Sequence, residues 1–190
     1  MKKSELRKIY LANQKSLSDK ERYEKSLQIQ RRFFDKFDLS NIKTLHLFIS
    51  IAKNSEVETA PFFEKIWQDY TDIKTIVPRV DFRKNLLTHH VYNSQIELAT
   101  NRWGIAEPKL ESFVDEREID LVLVPLLCFD ERGFRVGYGK GFYDKFLSLC
   151  REDCLKIGLS LFESVESIED TNKFDVKLDH CITPERIWEF

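Results

Sequence analysis

The strongest chemical signal is a glycine-rich stretch, residues 137–141, in which Gly137, Gly139 and Gly141 alternate with Tyr138 and Lys140. Glycine adopts positive φ and lets a ligand approach the backbone closely. An apolar segment typical of a buried strand precedes the stretch and a helix-like segment follows it, and free N–H groups at a helix start favour phosphate. The pattern therefore favours a phosphate-binding loop, although alternating glycines alone fit a simple reversing turn equally well.

The stretch matches neither of the two common phosphate-binding motifs. A P-loop has a glycine five residues before its Gly–Lys pair and a Ser or Thr after it, whereas this chain has Phe134 and Gly141 there. The dinucleotide fingerprint ends in a glycine where this chain has Phe142. Lys140 within the loop and Arg135 before it could still neutralise phosphate charge.

Asp144, just after the loop, is a candidate ligand for a magnesium ion that bridges phosphates. Magnesium takes one or two carboxylates and completes its shell with phosphate oxygens and water. Spacing alone favours a plainer role, in which Asp144 caps the following helix or faces solvent.

Helices are expected on both sides of the first predicted strand. Helical spacing of apolar residues covers the first forty residues, and the capping-box pattern of Ser18 and Glu21 predicts a new helix near Asp19. A helix capped by Thr59 is expected to run to about residue 70, because proline is tolerated in a first turn. Residues 140–150 are also helix-like.

Strands are expected between these helices. The nearly continuous apolar run at 119–124 is typical of a strand buried on both faces of a parallel sheet. The other predicted strands lie at 44–51, at 74–78 with Pro78 ending the strand, and at 86–92, 155–161 and 180–183. The alternation predicts a three-layer α/β/α domain with a mostly parallel central sheet.

Composition excludes several classes of protein. The 190 residues carry a formal net charge of −2, so no global field attracts nucleic acid or an acidic membrane. No apolar run reaches the length of a membrane span, and the charged amino-terminal segment lacks the apolar stretch of a secretory signal. The cysteines and histidines show no zinc spacing. We expect a single-domain, cytoplasmic, monomeric protein with small-molecule ligands and no nucleic-acid or membrane partner.

Five segments carry a resemblance that the loop alone does not. They are KSELR (3–7), EVET (56–59), WGIAEP (103–108), VPLLCFDERGFRVGYGKGFYD (124–144) and KLDHCITP (177–184). In this order and spacing they resemble the 5-formyltetrahydrofolate cyclo-ligase family, also called methenyltetrahydrofolate synthetases. The resemblance covers nearly the whole chain and implies a fold similar to that of the NagB/RpiA/CoA-transferase group.

The resemblance implies a reaction and a set of site residues. ATP and Mg²⁺ would drive conversion of 5-formyltetrahydrofolate to 5,10-methenyltetrahydrofolate, with release of ADP and phosphate. Lys140 and Arg135 would be catalytic, and Asp144 and Asp179 would bind Mg²⁺. ATP would be bound by Lys3, Ser4, Glu5, Leu6, Arg7, Arg135, Val136, Gly137, Tyr138, Gly139, Lys140, Gly141, Phe142 and Tyr143. The folate would be bound by Ile49, Glu56, Trp103, Tyr138, Gly139, Lys140, Gly141 and Phe142.

Without the resemblance, these residues have plainer interpretations. Lys3 and Arg7 would form a solvated basic face. Glu56 would be an exposed loop charge or a helix-start carboxylate, and Asp179 a turn carboxylate. Trp103, beside a glycine, would be a packing residue.

Two other functions stay compatible with the residues alone. One is another α/β enzyme that handles phosphate, such as a sugar-phosphate isomerase or CoA-transferase relative. The other is a non-catalytic protein that binds a nucleotide or folate. The family often has a basic or aromatic residue at the position of Tyr138, so the role of this side chain is open.

Overall fold

The computed structural model describes residues 1–81, 83–101, 105–109 and 112–190. The described helices are α1 (Lys3–Ser16), α2 (Asp19–Lys36), α3 (Ala60–Asp69) and α4 (Phe142–Leu147), with 3₁₀ turns at Ala52–Asn54 and Glu116–Glu118. The described strands are β1 (Thr44–His46), β2 (Lys74–Asp81), β3 (Leu86–Val91), β4 (Leu98–Thr100), β5 (Ala106–Pro108), β6 (Leu121–Pro125), β7 (Cys128–Phe129), β8 (Arg135–Val136), β9 (Leu155–Leu159), β10 (His180–Ile182) and β11 (Ile187–Glu189).

A seven-stranded sheet forms the centre, in the order β11-β10-β9-β6-β1-β2-β3. Its five inner strands are parallel to one another, and β3 and β11 pair antiparallel at the two edges. The carboxyl ends of the parallel strands therefore meet along one edge of the sheet, where ligands bind in folds of this kind. The predicted α/β class with a mostly parallel sheet is confirmed.

Both faces of the sheet are covered, which makes three layers. Leu121 and Leu123 of β6 belong to an apolar cluster with Phe33 of α2 and with α3. Val122, on the opposite face of the same strand, packs in a second cluster with Phe146 of α4. Side chains alternate between the two faces of a strand, so a strand covered on both faces is apolar throughout.

Helix α1 lies outside these layers and packs on a two-stranded hairpin. Leu6 is almost wholly buried against Cys128 of β7 and Val136 of β8. The amino end of α1 is thereby held beside the glycine loop, defined here as residues 137–141, which follows β8 directly. Among the described residues, no helix is long and apolar enough to cross a bilayer.

The predicted start of α2 is confirmed at the atomic level. Ser18 Oγ accepts a hydrogen bond from Glu21 N at 3.2 Å, and Glu21 Oε2 accepts one from Ser18 N at 2.9 Å. This reciprocal capping box satisfies two N–H groups that the first helical turn leaves without partners.

The prediction that Pro78 ends its strand is wrong. Strand β2 continues through Pro78 to Asp81, paired with β3 along its whole second half. Ile76 O accepts a hydrogen bond from Leu47 on the β1 side, and Pro78, two residues later, faces the same side. Since β1 has ended at His46, no neighbour on that side needs the N–H that proline lacks.

Three other predicted elements are shorter or held differently than expected. The strand at 44–51 ends at His46, because the chain then turns towards the cavity described below. The helix at 140–150 spans only Phe142–Leu147, since Gly141 precedes it in a left-handed conformation. Thr59 precedes α3 as predicted, but its hydroxyl donates to Phe48 O at 2.7 Å rather than capping the helix.

Candidate functional site

A cavity of about 580 Å³ opens where the parallel strands end. Its walls include the segments that follow β1 and β8, parts of β2 and β3, and the amino end of α1. The lining residues are Lys3, Arg7, Phe48, Ile49, Ile51, Lys53, Asn54, Glu56, Pro78, Val80, Leu87, Ile105, Ala106, Pro125, Arg135, Val136, Gly137, Tyr138, Gly139, Lys140, Gly141, Phe142, Tyr143, Asp144 and Asp175. Charged and apolar groups thus share one cavity, as a ligand with a phosphate part and a ring part requires.

The glycine loop forms one wall, and two of its glycines have positive φ. Gly139 has φ +91° and Gly141 has φ +69°, values that side chains other than glycine rarely adopt. A Cβ on Gly139 would also lie 3.1 Å from Arg7 Cζ, whereas one on Gly137 would meet nothing within 4 Å. Two features therefore favour glycine at position 139: its positive φ and the closeness of the Arg7 side chain.

Arg7 joins helix α1 to this loop. Its Nε donates a hydrogen bond to Gly137 O at 2.9 Å. The Arg7 guanidinium therefore fixes the position of the glycine loop. Its remaining N–H donors lie near the cavity. Lys140, in contrast, is exposed and forms no ion pair with a described residue. Its charge is available to a ligand.

The charged wall is the set Lys3, Arg135, Asp144 and Asp175, in which each cation faces a carboxylate. Arg135 Nη2 donates to Asp144 Oδ1 at 2.8 Å, and Lys3 Nζ lies 2.5 Å from Asp175 Oδ2. Only 5% of the Arg135 side chain is exposed. Burial lowers the pKa of Arg135, and the neighbouring Asp144 and Asp175 oppose that shift. The wall is close to neutral before any ligand binds.

The Glu56 turn, residues 50–59, presents a different kind of carboxylate. Glu56 is buried, and its Oε2 accepts a hydrogen bond from Ile51 N at 2.8 Å, while Asn54 Nδ2 lies 3.4 Å from Oε1. Burial raises the pKa of the Glu56 carboxyl. Burial and the nearby Glu56 also raise the pKa of the Tyr138 and Tyr143 hydroxyls. Tyr138 of the glycine loop and Tyr143 of α4 therefore both lie near the Glu56 carboxyl.

Ser50 and Thr59 fix the ends of that turn. Ser50 Oγ donates to Val57 O at 2.7 Å and accepts from Thr59 N at 2.8 Å. Thr59 Oγ1 donates in turn to Phe48 O. These bonds tie the segment after β1 to the start of α3 and fix the backbone on both sides of Glu56.

Most of the residues predicted to bind ATP line the cavity. Within residues 3–7, however, only Lys3 and Arg7 do so. Leu6 is core, Glu5 accepts a hydrogen bond from Lys2 N at the helix start, and Ser4 is exposed. A helix presents neighbouring residues to different sides, so a whole helical segment cannot line one wall. The assignment of Ser4, Glu5 and Leu6 to ATP therefore stays a prediction that the lining of this cavity does not support.

The predicted folate-binding residues divide in another way. Ile49, Glu56, Phe142 and the glycine loop line the cavity. Trp103 lies outside the described residues. Val136 and Tyr143, predicted for ATP, also line the same cavity, so nucleotide and folate residues form one continuous surface.

The two predicted metal ligands occupy different places. Asp144 lines the cavity, and although its Oδ1 accepts from Arg135 and from Val176 N, no described residue donates to its Oδ2. Asp179, which directly precedes β10, is not among the lining residues. Its Oδ2 accepts a hydrogen bond from Lys156 N at 2.7 Å. One oxygen of Asp144 therefore suits a cation, and Asp179 is engaged elsewhere.

Sequence reasoning missed three polar or charged lining residues, Lys53, Asn54 and Asp175, besides several apolar ones. Lys53 and Asn54 lie in the 3₁₀ turn after β1, whose backbone direction no periodic pattern reveals. Asp175 is 172 residues from Lys3, the residue with which it pairs. The one feature of the sequence that could have pointed to Asp175 is its position just before the 177–184 segment.

Fold and site together define an α/β protein with a phosphate-type loop facing a buried carboxylate, and comparison with known proteins makes the class specific. Residues 1–184 match the model of the 5-formyltetrahydrofolate cyclo-ligase family. The 5-formyltetrahydrofolate cyclo-ligase of Escherichia coli K12 is 30% identical over 77% of this chain and 81% of its own length. A probable 5-formyltetrahydrofolate cyclo-ligase from Schizosaccharomyces pombe is 29% identical over 98% of this chain and 97% of its own.

A solved structure agrees with these relatives. The 5,10-methenyltetrahydrofolate synthetase of Aquifex aeolicus superposes with a TM-score of 0.84 at 28% identity, over 100% of this chain and 93% of that one. The chain belongs to the 5-formyltetrahydrofolate cyclo-ligase family, as its sequence motifs indicate.

Proposed function

We propose that this protein uses ATP to convert 5-formyltetrahydrofolate to 5,10-methenyltetrahydrofolate. The observation that carries the proposal is the single cavity in which the glycine loop, with the exposed Lys140, faces the buried Glu56. A triphosphate and a pterin can be held there side by side, and the family match names the substrate and product.

The reaction needs ATP because a formamide carbonyl is a poor electrophile: its nitrogen donates electrons into it. The formyl oxygen attacks the γ-phosphorus, and the bond from this phosphorus to ADP breaks. The second folate nitrogen then attacks the activated carbon and loses its proton. The carbon–oxygen bond breaks, phosphate leaves with that oxygen, and the five-membered ring is closed.

The loop side of the cavity supplies what phosphoryl transfer requires, which is positioning and charge neutralisation rather than covalent help. Backbone N–H groups of residues 137–141 bind the phosphates. Lys140 neutralises the charge that develops during transfer. Arg135 donates one hydrogen bond from each terminal nitrogen, to Val176 O and to Asp144. A guanidinium has five N–H donors, so others are left for its predicted catalytic role. The six-residue α4 adds less dipole than the longer predicted helix would.

Asp144 is the residue best suited to hold Mg²⁺, through its Oδ2. An ion held there would supply positive charge that offsets the charge of the phosphates. Asp179, predicted by resemblance, does not line the cavity, and Lys156 contacts its Oδ2, so its Oδ1 would be the oxygen left for a cation. The role of Asp179 therefore stays a prediction.

The Glu56 turn binds the folate ring system. An amino-pyrimidinone edge presents adjacent N–H donors that suit a carboxylate, and Glu56 is held rigidly enough to receive them. Ile49 and Phe142 supply apolar surface beside it. Trp103 is proposed to cover the rings by resemblance alone. The monomeric state and the cytoplasmic location likewise stay predictions.

The decisive experiment mixes the purified protein with 5-formyltetrahydrofolate and MgATP and follows the near-ultraviolet absorbance of the methenyl product. We expect product only when ATP, Mg²⁺ and the folate are all present. Nucleotide or folate binding without product would instead identify a binding protein. ATP hydrolysis that does not depend on the folate would indicate a different phosphate-handling enzyme.

A further inference from the structure

Two thiols lie at the end of α4 that is farther from the glycine loop. Cys150 comes three residues after α4 ends, and Cys154 directly precedes β9. Both pack in the second apolar cluster, together with Phe146 of α4. Neither thiol lines the cavity, and the proposed reaction uses no thiol. The pair is therefore reactive chemistry that the proposed function leaves without a role.

The two thiols are in direct contact. The Cys150 thiol donates a hydrogen bond to the Cys154 sulfur, and this bond raises the pKa of Cys150 and lowers the pKa of Cys154. Cys150 Sγ also lies 3.6 Å from Phe146 O. The chain between the thiols forms a tight turn, in which Cys154 N donates to Arg151 O at 3.1 Å. Neighbouring sulfurs carried by one tight turn meet the main geometric requirement of a disulfide.

The thiols differ in access and in surroundings. Cys150 is partly exposed, whereas Cys154 is buried. Besides the hydrogen bond, the positive charges of Lys156 and Arg151 lower the pKa of Cys154 and so favour its thiolate. The thiols titrate as a pair, so the one remaining proton can pass between the two sulfurs. A reagent from solvent therefore meets Cys150 first, and Cys154 is placed to attack from the inside.

We propose that Cys150 and Cys154 form a reversible dithiol–disulfide site, which low-molecular-weight disulfides such as oxidised glutathione convert to a bond between α4 and β9. The Cys150 thiolate attacks one glutathione sulfur, and the other glutathione leaves as a thiolate. The Cys154 thiolate then attacks the Cys150 sulfur, and the second glutathione leaves. The protein loses two electrons and two protons, which the two glutathione thiols carry away. The proposal does not depend on the proposed function.

The plainer interpretation is that all four cysteines are small apolar core residues. Cys128 and Cys181 fit that description, because both are buried. Burial raises the pKa of Cys128 to about 12 and raises the pKa of Cys181 well above its ordinary value. Buried thiols of this kind are inert. Cys150 and Cys154 differ from them in mutual contact and, between them, in access and in a lowered pKa. We therefore expect selective oxidation, with the other two thiols as internal controls.

The test is a peptide map of the wild type after incubation with oxidised glutathione. Free thiols are blocked with an alkylating reagent at acid pH, and the protein is then digested with trypsin. Trypsin cleaves after Lys145, Arg151 and Lys156, which places the two cysteines in the separate peptides 146–151 and 152–156. We expect these peptides to be joined, the intact protein to be lighter by two hydrogens, and two of its four thiols to remain. Dithiothreitol should restore all four.

Single variants test the order of attack. Cys154→Ser should stop at the mixed disulfide and gain one glutathionyl group on Cys150. Cys150→Ser should gain none, because the remaining Cys154 is buried. Cys128→Ala is the matched control and should still give the joined peptides. If Cys154→Ser does not fold, the wild-type peptide map and Cys150→Ser still decide.

The disulfide should also stabilise the protein, since it ties the segment after α4 to the start of β9. The oxidised wild type should melt about 4 °C above the dithiothreitol-treated sample, as expected for a short closed loop. Backbone amides of α4 should exchange more slowly with solvent, because local opening of this helix becomes rarer. A lower melting temperature on oxidation would mean that the turn must distort to close the bond, which contradicts a built site.

Other results would overturn the proposal directly. A wild type that keeps all four thiols, or that stops at the mixed disulfide, would show that Cys154 does not attack. Modification of all four thiols would mean that the oxidant unfolds the protein. A joined peptide pair formed by two copies of 146–151 would mean that Cys150 bridges two molecules. Glutathionylation of Cys150→Ser at Cys154 would contradict the order of attack.

Discussion

The charged wall and the Glu56 turn hold acidic groups of the same cavity in opposite ways. In the charged wall, Asp144 and Asp175 each face a cation at 2.8 Å or less. In the Glu56 turn, the donors to Glu56 are the neutral N–H groups of Ile51 and Asn54. Burial consequently raises the pKa of Glu56, whereas each acid of the wall has its charge compensated.

The difference matches two kinds of ligand group. A triphosphate brings several negative charges, so under the proposed function a wall that is nearly neutral when empty needs an additional cation, for which the exposed Lys140 is the candidate. A pterin edge brings neutral donors, and an incompletely satisfied carboxylate binds these strongly because burial has already removed its water. The turn thus sacrifices stability for binding, and the wall does not.

The largest effect is expected from Lys140→Ala, which removes a cation that lies in neither the charged wall nor the Glu56 turn. Turnover should fall about 10²- to 10³-fold, as it does when one charge-stabilising donor is lost from an active site. The melting temperature should stay within about 2 °C, because exposed substitutions change stability little. Rates of methenyl formation and thermal melts check both statements. An equal loss of folding and activity would show that the loop cation is structural.

Glu56→Gln should weaken folate binding about 100-fold, the effect of losing charge-assisted hydrogen bonds to two donors. The same variant should be more stable than the wild type at neutral pH, because it removes an uncompensated buried charge. Folate titrations and urea unfolding measure the two quantities. If Glu56→Gln is instead less stable than the wild type at pH 8, the contrast drawn between the charged wall and the Glu56 turn is wrong.

The sign of the pH dependence follows from the raised pKa of Glu56. Above the ordinary value of 4.5, the unfolded state has released a proton that the native state still holds. The contribution of Glu56 to stability is therefore fully present below pH 4.5 and is lost as the pH rises through the raised native pKa of Glu56. The advantage of Glu56→Gln should be larger at pH 8 than at pH 5, which urea unfolding at both values tests.

Asp144→Asn should have the opposite effect on stability in the charged wall. Arg135 is almost wholly buried, and the loss of its charged partner leaves it incompletely compensated. We expect a decrease of about 2 kcal/mol in the free energy of unfolding, below the cost of breaking a fully buried pair because Asp144 is partly exposed. The Mg²⁺ concentration needed for half-maximal rate should also rise. Unchanged urea unfolding would show that Val176 O and solvent suffice for Arg135.

The smallest difference should separate Gly139→Ala from Gly137→Ala. Gly139 has φ +91° and lies against Arg7, whereas Gly137 has open space and an ordinary φ. The first substitution should cost about 1–2 kcal/mol, as left-handed strain does, and the second less than about 0.5 kcal/mol. Urea unfolding compares them. Equal costs would mean that Arg7 moves freely, so that α1 does not hold the loop.

Several elements could be predicted because their signals are local. The capping box at Ser18 identifies the start of α2, and the uninterrupted apolar run of β6 identifies a strand covered on both faces. The two- and three-residue strands β4, β5, β7, β8 and β11 could not be predicted, since a period of two cannot be read over so few residues. Strand β2 was misjudged at Pro78 because the sequence does not show which neighbour is absent.

What the sequence by itself determined, through five ordered motifs, is the family to which the chain belongs. The phosphate-binding role of the glycine loop stays a prediction. Only the tertiary structure decided that Lys3 and Arg7 face the cavity while Leu6 does not, that Asp144 keeps an oxygen towards it while Asp179 binds Lys156, and that Asp175 joins the site at all. The physical reason is that residue types and local spacing are written along the chain. Which side chains meet at the cavity is instead decided by packing between segments that can lie far apart in the chain, such as Lys3 and Asp175, which are 172 residues apart.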